Sequence, residues 1–568
     1  MHHGLWRSCY LTKIIILFSV SLVWGAPPDA GQLMREQKPQ RAIPSQSPQP
    51  EAEKQRASMA DTGVSVTVKS FTFTGYQGLV DEKDLQAVVA DAVGKKLTFN
   101  DLQELCLKIT NHLKNKGWFL ARAYLPQQDV TSGDIEITIV QGTSDGSLII
   151  KRAPHSRIDE AFLRHIGEKA VSPGQALSEK KLERAVLLMN DLPGINARAS
   201  LAPGSTSGST AVQIDVSEGP LFTGALWGDN YGNRYTGEWR GNAMINVNDP
   251  LSYGDQISGM VTGAEGFVQG RIAYDFPLIP GGLKANLAYT GMYYKLKEDM
   301  TALDMDGTSS AFNAGLSYPL LRSRKANLTA RFGYEFKSII DEALDDEIND
   351  KRLNSGILSF NGDAYDTLLG GGYTTFSAGV TFGDMDERTA DISITDVEGT
   401  YTHFNVGVAR LQRLLDRLAI NLSYAGQMAL DNLDSSEKFI LGGPYGVRAY
   451  PIGEASGDEG HLFNVDLRYD LPIPSDWGVF QLSGFYDAGH ITLHHDPWTN
   501  SIESASDKNM YWLQGAGVGL VYAYQQIFSV KGSWAHVLND NPGRSTDDEN
   551  ADGREDKDRF WLQAALFF

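Results

Sequence analysis

The sequence predicts two α+β repeats of β-α-α-β-β type, followed by a transmembrane antiparallel β-barrel of about 16 strands. Three observations predict it. Helical periodicity is confined to residues before Pro220, and two-residue alternation dominates from there to Phe568. In the alternating stretches the charged side chains fall on one parity. The connections between them divide into short proline-bearing turns and long acidic loops.

Composition narrows the functional classes. A chain of 568 residues is too long for one ordinary compact domain unless much of it is a single large sheet. Its 58 glycines and 10% aromatics suit many strands joined by tight turns. A net charge of −20, from 50 basic and 70 acidic residues, excludes a nucleic-acid partner, which calls for a basic stripe. The two cysteines are Cys9 and Cys106, and Cys9 lies in the leader. The mature chain therefore forms no internal disulfide and has no cysteine-based metal site.

Residues 1–25 read as a signal peptide. Arg7 and Lys13 precede an apolar run of 11 residues, 14–24, and the small residues Gly25 and Ala26 follow. A membrane-spanning helix needs roughly 20 such residues. The mature protein is then exported, and it can enter a membrane only as a barrel. Residues 26–65, rich in proline, glutamine and charge, form a linker. Within it, 29–36 suits either two helical turns capped by Asp29 or an unstructured stretch.

The first repeat covers 66–142. A strand carries Val64, Val66, Val68, Phe71 and Phe73. A helix over 81–93 follows, with Leu85, Val88, Val89 and Val93 apolar, then a second over 100–115 capped by Asn100 or Asp101. Strands over 119–125 and 134–141 complete it. The second repeat, 146–219, has the same order: a strand at 148–151, helices at 159–167 and 178–190, and strands at 197–202 and 211–217.

The barrel tract, 220–568, holds 349 residues (568 − 220 + 1). At about 10 residues per tilted strand plus loops it accommodates roughly 16 strands. In 327–337, Leu328, Ala330, Phe332, Tyr334 and Phe336 oppose Thr329, Arg331, Glu335 and Lys337. In a membrane barrel the apolar set faces lipid and the charged set the lumen. Short turns are expected at 274–282, 318–325 and 469–478, and long polar loops at 298–307, 339–354 and 539–558.

Candidate functional residues are few. The 31-residue connection 431–461 is glycine-rich and carries Arg448 between Val447 and Tyr450. A connection of that length without helical or strand period is either functional or disordered. Downstream, Asp487 falls on the inward parity of a strand with Gln481, Ser483 and Phe485. A loop folded inside the barrel would let Arg448 and Asp487 form a charge-assisted pair; otherwise Asp487 is simply hydrated. Asp548, Asn550, Asp552 and Gly553 imitate the start of a calcium loop, but position 12 is Arg559 where a glutamate is required. That segment, and His494, His495 and Asp496, read as solvated loops without a metal. No phosphate-cradling or nucleophile-elbow motif occurs, so no catalytic residue or cofactor is assigned.

Two motifs carry a family resemblance. Val447-Arg448-Ala449-Tyr450 resembles V-R-G-Y, and Phe485-Tyr486-Asp487-Ala488-Gly489 fits F-x-D-x-G. Together with the linker, the duplicated α+β unit and the barrel, they resemble the two-partner secretion (TpsB-type) outer-membrane transporters of the ShlB/FhaC/HecB family. In that family the repeats are polypeptide-transport-associated (POTRA) domains. Residues 228–240 are similar to the family's first barrel hairpin. A final strand ending on Phe568 resembles the assembly signal that outer-membrane barrels present to their assembly machinery. The resemblance implies an outer-membrane, lipid-embedded pore with periplasmic POTRA domains. It implies a dedicated exoprotein, recognised by its N-terminal secretion domain and moved without nucleotide hydrolysis, and a helix at 29–36 that plugs the pore. Ala449 departs from the family glycine, and a positive φ there would strain it. The rivals are a passive porin, which needs no duplicated domain, an outer-membrane enzyme, which needs a catalytic constellation, and a barrel-assembly insertase, which typically has more POTRA repeats.

Overall fold

A computed structural model describes residues 27–38, 65–205, 209–389, 397–499, 501–502 and 504–568. The signal peptide at 1–25 and most of the linker lie outside the described residues. Within the linker, α1 (Ala30–Glu36) is a helix whose N-cap, Asp29, accepts a 2.7 Å hydrogen bond from the Gln32 amide.

The first α/β unit builds a three-stranded sheet. Ser70–Thr74 runs parallel to the central strand Asp134–Val140, which pairs antiparallel with Arg122–Tyr124. Helices α2 (Glu82–Val89) and α3 (Phe99–Asn115) cover one face and bury Leu85, Val89, Ile109 and Leu113 against Phe71, Ile135 and Ile137. Local detail departs from the sequence reading at four points. The first strand is two, Ser65–Thr67 pairing with Lys96–Thr98 and then Ser70–Thr74. Val93 lies beyond α2 and is 45% exposed. The cap of α3 is Thr98, not Asn100 or Asp101. Its hydroxyl accepts from the Asp101 amide while the Asp101 carboxylate accepts from the Thr98 amide, a capping box that starts the helix earlier. The strand expected over 119–125 contracts to three residues.

The second unit repeats the order. Ser144–Arg152 lies parallel to Thr210–Glu218, which pairs antiparallel with Ile195–Pro203. Helices α4 (Glu160–Glu168) and α5 (Glu179–Asn190) pack Leu163 and Met189 onto Val212 and Ile214. This unit is anchored to the barrel's turns. Arg322 grips Asp191 through two bonds of 2.8 and 2.6 Å, and Arg184 donates to the Pro319 carbonyl at 2.8 Å.

From Phe222 onward the chain closes a 16-stranded antiparallel barrel. Its first half is β1 (Phe222–Asp229), β2 (Arg240–Asn248), β3 (Gln256–Ala264), β4 (Phe267–Pro277), β5 (Lys284–Lys295), β6 (Met305–Arg322), β7 (Ala326–Ala343) and β8 (Asp346–Asp366). The second half is β9 (Gly372–Glu387), β10 (Gly399–Leu415), β11 (Leu418–Ala429), β12 (Glu459–Asp470), β13 (Val479–Thr492), β14 (Met510–Tyr524), β15 (Phe528–Val537) and β16 (Asp558–Phe567). β16 returns to pair with β1, from Gln563 opposite Asp229 to Phe567 opposite Ala225. Parity sets the two faces. On β7, Phe332 is 58% exposed to the outside while Glu335 and Lys337 are buried within. A closed barrel satisfies every ladder group in hydrocarbon, where an open edge would not.

Two expected loops carry regular structure instead. Residues 339–354 belong to β7 and β8, which continue outward as one long hairpin. Glu342 and Glu347 stand exposed there while Asp341 is fully buried, so the run of charge belongs to a paired ladder and not to a loop. The turn is two residues, Leu344 and Asp345, both at positive φ (54° and 63°). Replacing Leu344 with Asn and Asp345 with Gly should relieve this strain and raise hairpin stability by about 1 kcal/mol, read as a higher thermal midpoint. Likewise, 298–307 is a short helical turn, Glu298–Leu303, then the start of β6. Its Met300 and Leu303 pack into an apolar cluster with Leu33, Met34, Tyr294 and Tyr401 inside the barrel.

Candidate functional site

The connection between β11 and β12 folds into the lumen. Phe439–Ile440 pairs with Ser456–Gly457 as a short stem, and the chain between them doubles back tightly. Close backbone approach requires glycine here: a Cβ on Gly446 would lie 1.8 Å from the Leu441 carbonyl oxygen, and one on Gly442 2.1 Å from that of Pro451. Leu441, Val447, Ala449 and Tyr450 are buried against Phe485 and Leu513 of the wall.

This fold delivers Arg448 to the inner wall. Its Nε and one terminal nitrogen donate to the two oxygens of Asp487 at 2.8 and 2.7 Å, and its backbone N–H donates to the same carboxylate at 3.1 Å. The other terminal nitrogen lies 2.8 Å from Asp466 on β12. The guanidinium stacks 3.4 Å from the ring centroid of Phe485. Asp487 is fully buried and Arg448 is 8% exposed. Asn464 bridges the pair, donating to Asp487 at 2.7 Å and to the Gly446 carbonyl at 3.1 Å. Gly489 lets the loop approach, since a Cβ there would meet Leu441 at 2.5 Å. Tyr450 is buried with its hydroxyl toward the Asn539 carbonyl.

Asp466, Asn464 and Trp561 were not among the sequence candidates. Trp561, on β16, donates to the Arg448 carbonyl at 2.8 Å and packs edge-on against Tyr231, which meets Tyr445 of the loop in the same manner. Inward parity on β12 was a usable signal for Asp466 and Asn464; nothing local distinguishes Trp561. Replacing Trp561 with Phe should cost about 1 kcal/mol, measured as a lower unfolding midpoint of the detergent-solubilised barrel.

Ala449 is not strained. Within this loop the non-glycine residue at positive φ is Ala455 (55°). The Ala449 methyl sits where β14 has Gly515, on which a Cβ would fall 2.5 Å away. A methyl on the loop is accommodated by its absence on the wall, so Gly515→Val should displace the loop and impair function while the barrel still assembles. Phe568 exchanges backbone hydrogen bonds with Gly224 at the β1–β16 seam, and its ring covers the bare face of that glycine.

The calcium-like segment is not a solvated loop. Asp552 is buried and takes two bonds from Arg559 at 2.5 and 3.0 Å, and Asn541 donates to Asn550 and to Glu454 of the arginine loop. The residue that breaks the calcium pattern is the one that neutralises it. His494 is half-buried, packed at a tilt against Trp498 and bonded to the Ser501 carbonyl. Among the described residues no group of three or more potential metal ligands occurs.

Helix α1 lies in the lumen beside the loop. Its first amide donates to Asp341 at 2.9 Å, the Asp29 carboxylate accepts from Ser435 at 2.8 Å, and Arg35 donates to the Lys438 carbonyl at 2.8 Å. Gly31 permits the contact, because a Cβ there would lie 2.2 Å from the Ser435 hydroxyl. Beneath it, buried Lys337 bonds Glu437 and lies 3.3 Å from Glu335, and His403 also reaches Glu437 at 3.2 Å.

A closed 16-stranded barrel behind α/β domains, with a loop and a helix folded into its lumen, defines an outer-membrane protein transporter. Residues 208–521 match the family described as haemolysin secretion/activation protein ShlB/FhaC/HecB, and 66–142 match the POTRA domain, ShlB-type. The chain belongs to the ShlB/FhaC/HecB family: it is a two-partner secretion transporter, not an enzyme, with a barrel in the outer membrane and POTRA in the periplasm. It is 28% identical over 568 residues to the heme/hemopexin transporter protein HuxB of Haemophilus influenzae strain 86-028NP, covering 97% of each chain. It is 22% identical over 486 residues to the outer membrane transporter CdiB of Dickeya dadantii, covering 82% of each. The solved structure of CdiB from Escherichia coli superposes with a TM-score of 0.69 at 19% identity, over 100% of this chain and 99% of that one. The family secretes a partner exoprotein.

Proposed function

We propose that the Arg448–Asp487 pair is the resting lock of this transporter and that α1 is its plug. The observation that carries this reading is placement: a buried, bidentate ion pair joins a loop folded into the lumen to the barrel's inner wall. Release of both would open a path for an unfolded exoprotein entering N-terminal secretion domain first. Domain boundaries of 66–142 and 146–219 for two POTRA units, and 220–568 for the barrel, fit this arrangement. The outer edge strands, Ser70–Thr74 in one unit and Ser144–Arg152 in the other, suit capture of an extended segment by β-augmentation. The strand ending at Phe568 suits recognition by barrel-assembly machinery. This reading calls for no nucleotide: folding of the exoprotein outside supplies the direction.

Similarity along 97% of its length to a heme/hemopexin transporter protein supports a cargo of that kind. Deleting the gene should remove one secreted protein from the medium or cell surface, identified by mass spectrometry, and plasmid-borne wild type should restore it. Undiminished export of every secreted protein would overturn the assignment of cargo. Simultaneous loss of many unrelated outer-membrane barrels would favour the assembly insertase instead.

A further inference from the structure

The lumen handles charge differently on the two sides of the arginine loop. In the layer beside α1, cations have carboxylate partners: Lys351 lies 3.1 Å from Asp434 and Arg240 2.8 Å from Asp229. Nearer the periplasmic end, Arg331 on β7 and Lys531 on β15 stand exposed on the lumenal parity of their strands. Neither has an ion pair among the described residues. Arg468 on β12 stands 3.8 Å from Asp466, a carboxylate already held at 2.8 Å by Arg448.

Register places these three at one height. The hydrogen-bonded ladder from Asn327, beside a periplasmic turn, runs through Asp363, Thr375, Ala409 and Ser423 to Asn464. Asn464 is six residues (470 − 464) before Asp470, the periplasmic end of β12, so the ladder climbs six residues over five tilted strands. The ladder from Arg331 reaches Gly460, which makes its level on β12 about residue 466, two from Arg468. From Arg468 it runs through Ser483 and Gly519 to Ser533, level with about residue 529 on β15, two from Lys531.

Below this level a cavity of about 1560 Å³ opens between α5 and the barrel turns, lined by Arg331 together with Lys325, Arg413 and Arg417. Of its five aspartates, Asp363 and Asp470 accept from Asn327 at 3.0 Å and Gln481 at 2.8 Å, Asp191 is taken by Arg322, Asp366 by Arg410 at 2.7 Å, and Asp416 is exposed. In a chain of net charge −20, an entry route whose cavity is lined by seven lysines and arginines against five aspartates is a local reversal.

We propose that Arg331, Arg468 and Lys531 form a cationic girdle below the arginine loop that engages the carboxylates of an unfolded polypeptide in transit. This rests on the transport reading, and it names the segments the pore favours: extended and bearing aspartate or glutamate. A water-filled passage with low-dielectric walls and one sign of charge concentrates the opposite sign and holds it by many weak, quickly exchanged contacts. Such contacts retain a chain without stopping it.

The test uses full-length protein in nanodiscs and labelled unstructured peptides of Gly and Ser containing Glu, Lys or neither, followed by fluorescence anisotropy. The Glu peptide is expected to bind about tenfold tighter than the uncharged one, and to lose that advantage as salt rises from about 20 to about 200 mM. The variant Arg331→Gln with Arg468→Gln and Lys531→Gln should lose the preference, whereas Arg331→Lys with Arg468→Lys should keep it. Heat-modifiable gel migration verifies that each barrel is folded, and Lys531→Gln alone supplies the readout if the triple variant does not assemble. Equal binding of Glu and uncharged peptides, tighter binding of the Lys peptide, or an undiminished preference in the Gln variants would overturn the girdle. Exoprotein export by the wild type, measured in parallel, separates that outcome from failure of the transport reading.

Discussion

Arg448→Ala is expected to abolish gated export while leaving an assembled, membrane-inserted barrel. The substitution strips two carboxylates, Asp487 and Asp466, of the guanidinium that bonds them at 2.7 to 2.8 Å in a site closed to solvent. Breaking one side of a buried pair typically costs about 3–5 kcal/mol, because the remaining charge stays desolvated. Most of that cost falls on the loop rather than the barrel, whose ladder does not involve Arg448. Arg448→Lys should rescue poorly: an ammonium cannot span Asp487 through two parallel bonds, reach Asp466 and stack on Phe485 together. Exoprotein in the medium and the heat-modifiable band of the barrel are the two readouts.

Lys337→Met is expected to loosen the plug. Lys337 is fully buried between Glu335 and Glu437, and Glu437 also receives His403. Removing the cation takes the shared charge from both carboxylates and leaves Glu335 to Lys38, at 3.7 Å, and Glu437 to His403, again a cost of about 3–5 kcal/mol. Glu437 belongs to the arginine loop, and its neighbour Lys438 accepts the α1 contact from Arg35. The strain therefore falls on the seat of the helix. Cells carrying the variant should become sensitive to a bulky antibiotic that the intact outer membrane excludes. Lys337→Met with Glu437→Gln should partly restore resistance, because fewer unpaired charges remain.

Fold and site were legible to different depths. The barrel was plain because alternation on a strand such as β7 is a physical requirement of a wall with lipid on one side and water on the other. Arg448 and Asp487 stood out because a cation in a glycine-rich loop and an acid on an inward parity each need a partner. Their bidentate contact was not legible, since it depends on a loop reaching across the lumen. Asp466 had the right parity but competed with the other polar residues of β12. Trp561 lies 113 positions from its acceptor, and no local pattern announces such a bond. Residues 339–354 and Asp552 were misread because local composition was taken for exposure, whereas ladder pairing and Arg559 decided each; the cap placed on Asn100 or Asp101 fell to Thr98 because reciprocal bonding with Asp101 starts the helix earlier.

The most direct test ties the loop to the wall without touching the ion pair. A Cβ built on Gly489 falls 3.1 Å from a Val447 methyl, the position that the sulfur of a cysteine at 447 can take, so a second sulfur on residue 489 is within reach of a disulfide. The chain's own Cys106 is buried and its thiol pushed up to about 11 by that burial, so it does not compete. In Val447→Cys with Gly489→Cys, and with Leu441→Ala to clear the 2.5 Å approach of the new Cβ, export of the exoprotein should stop under oxidising conditions and resume when reductant is added. Full export through an oxidised, verified cross-link would contradict the account, because the loop would then not need to leave its wall.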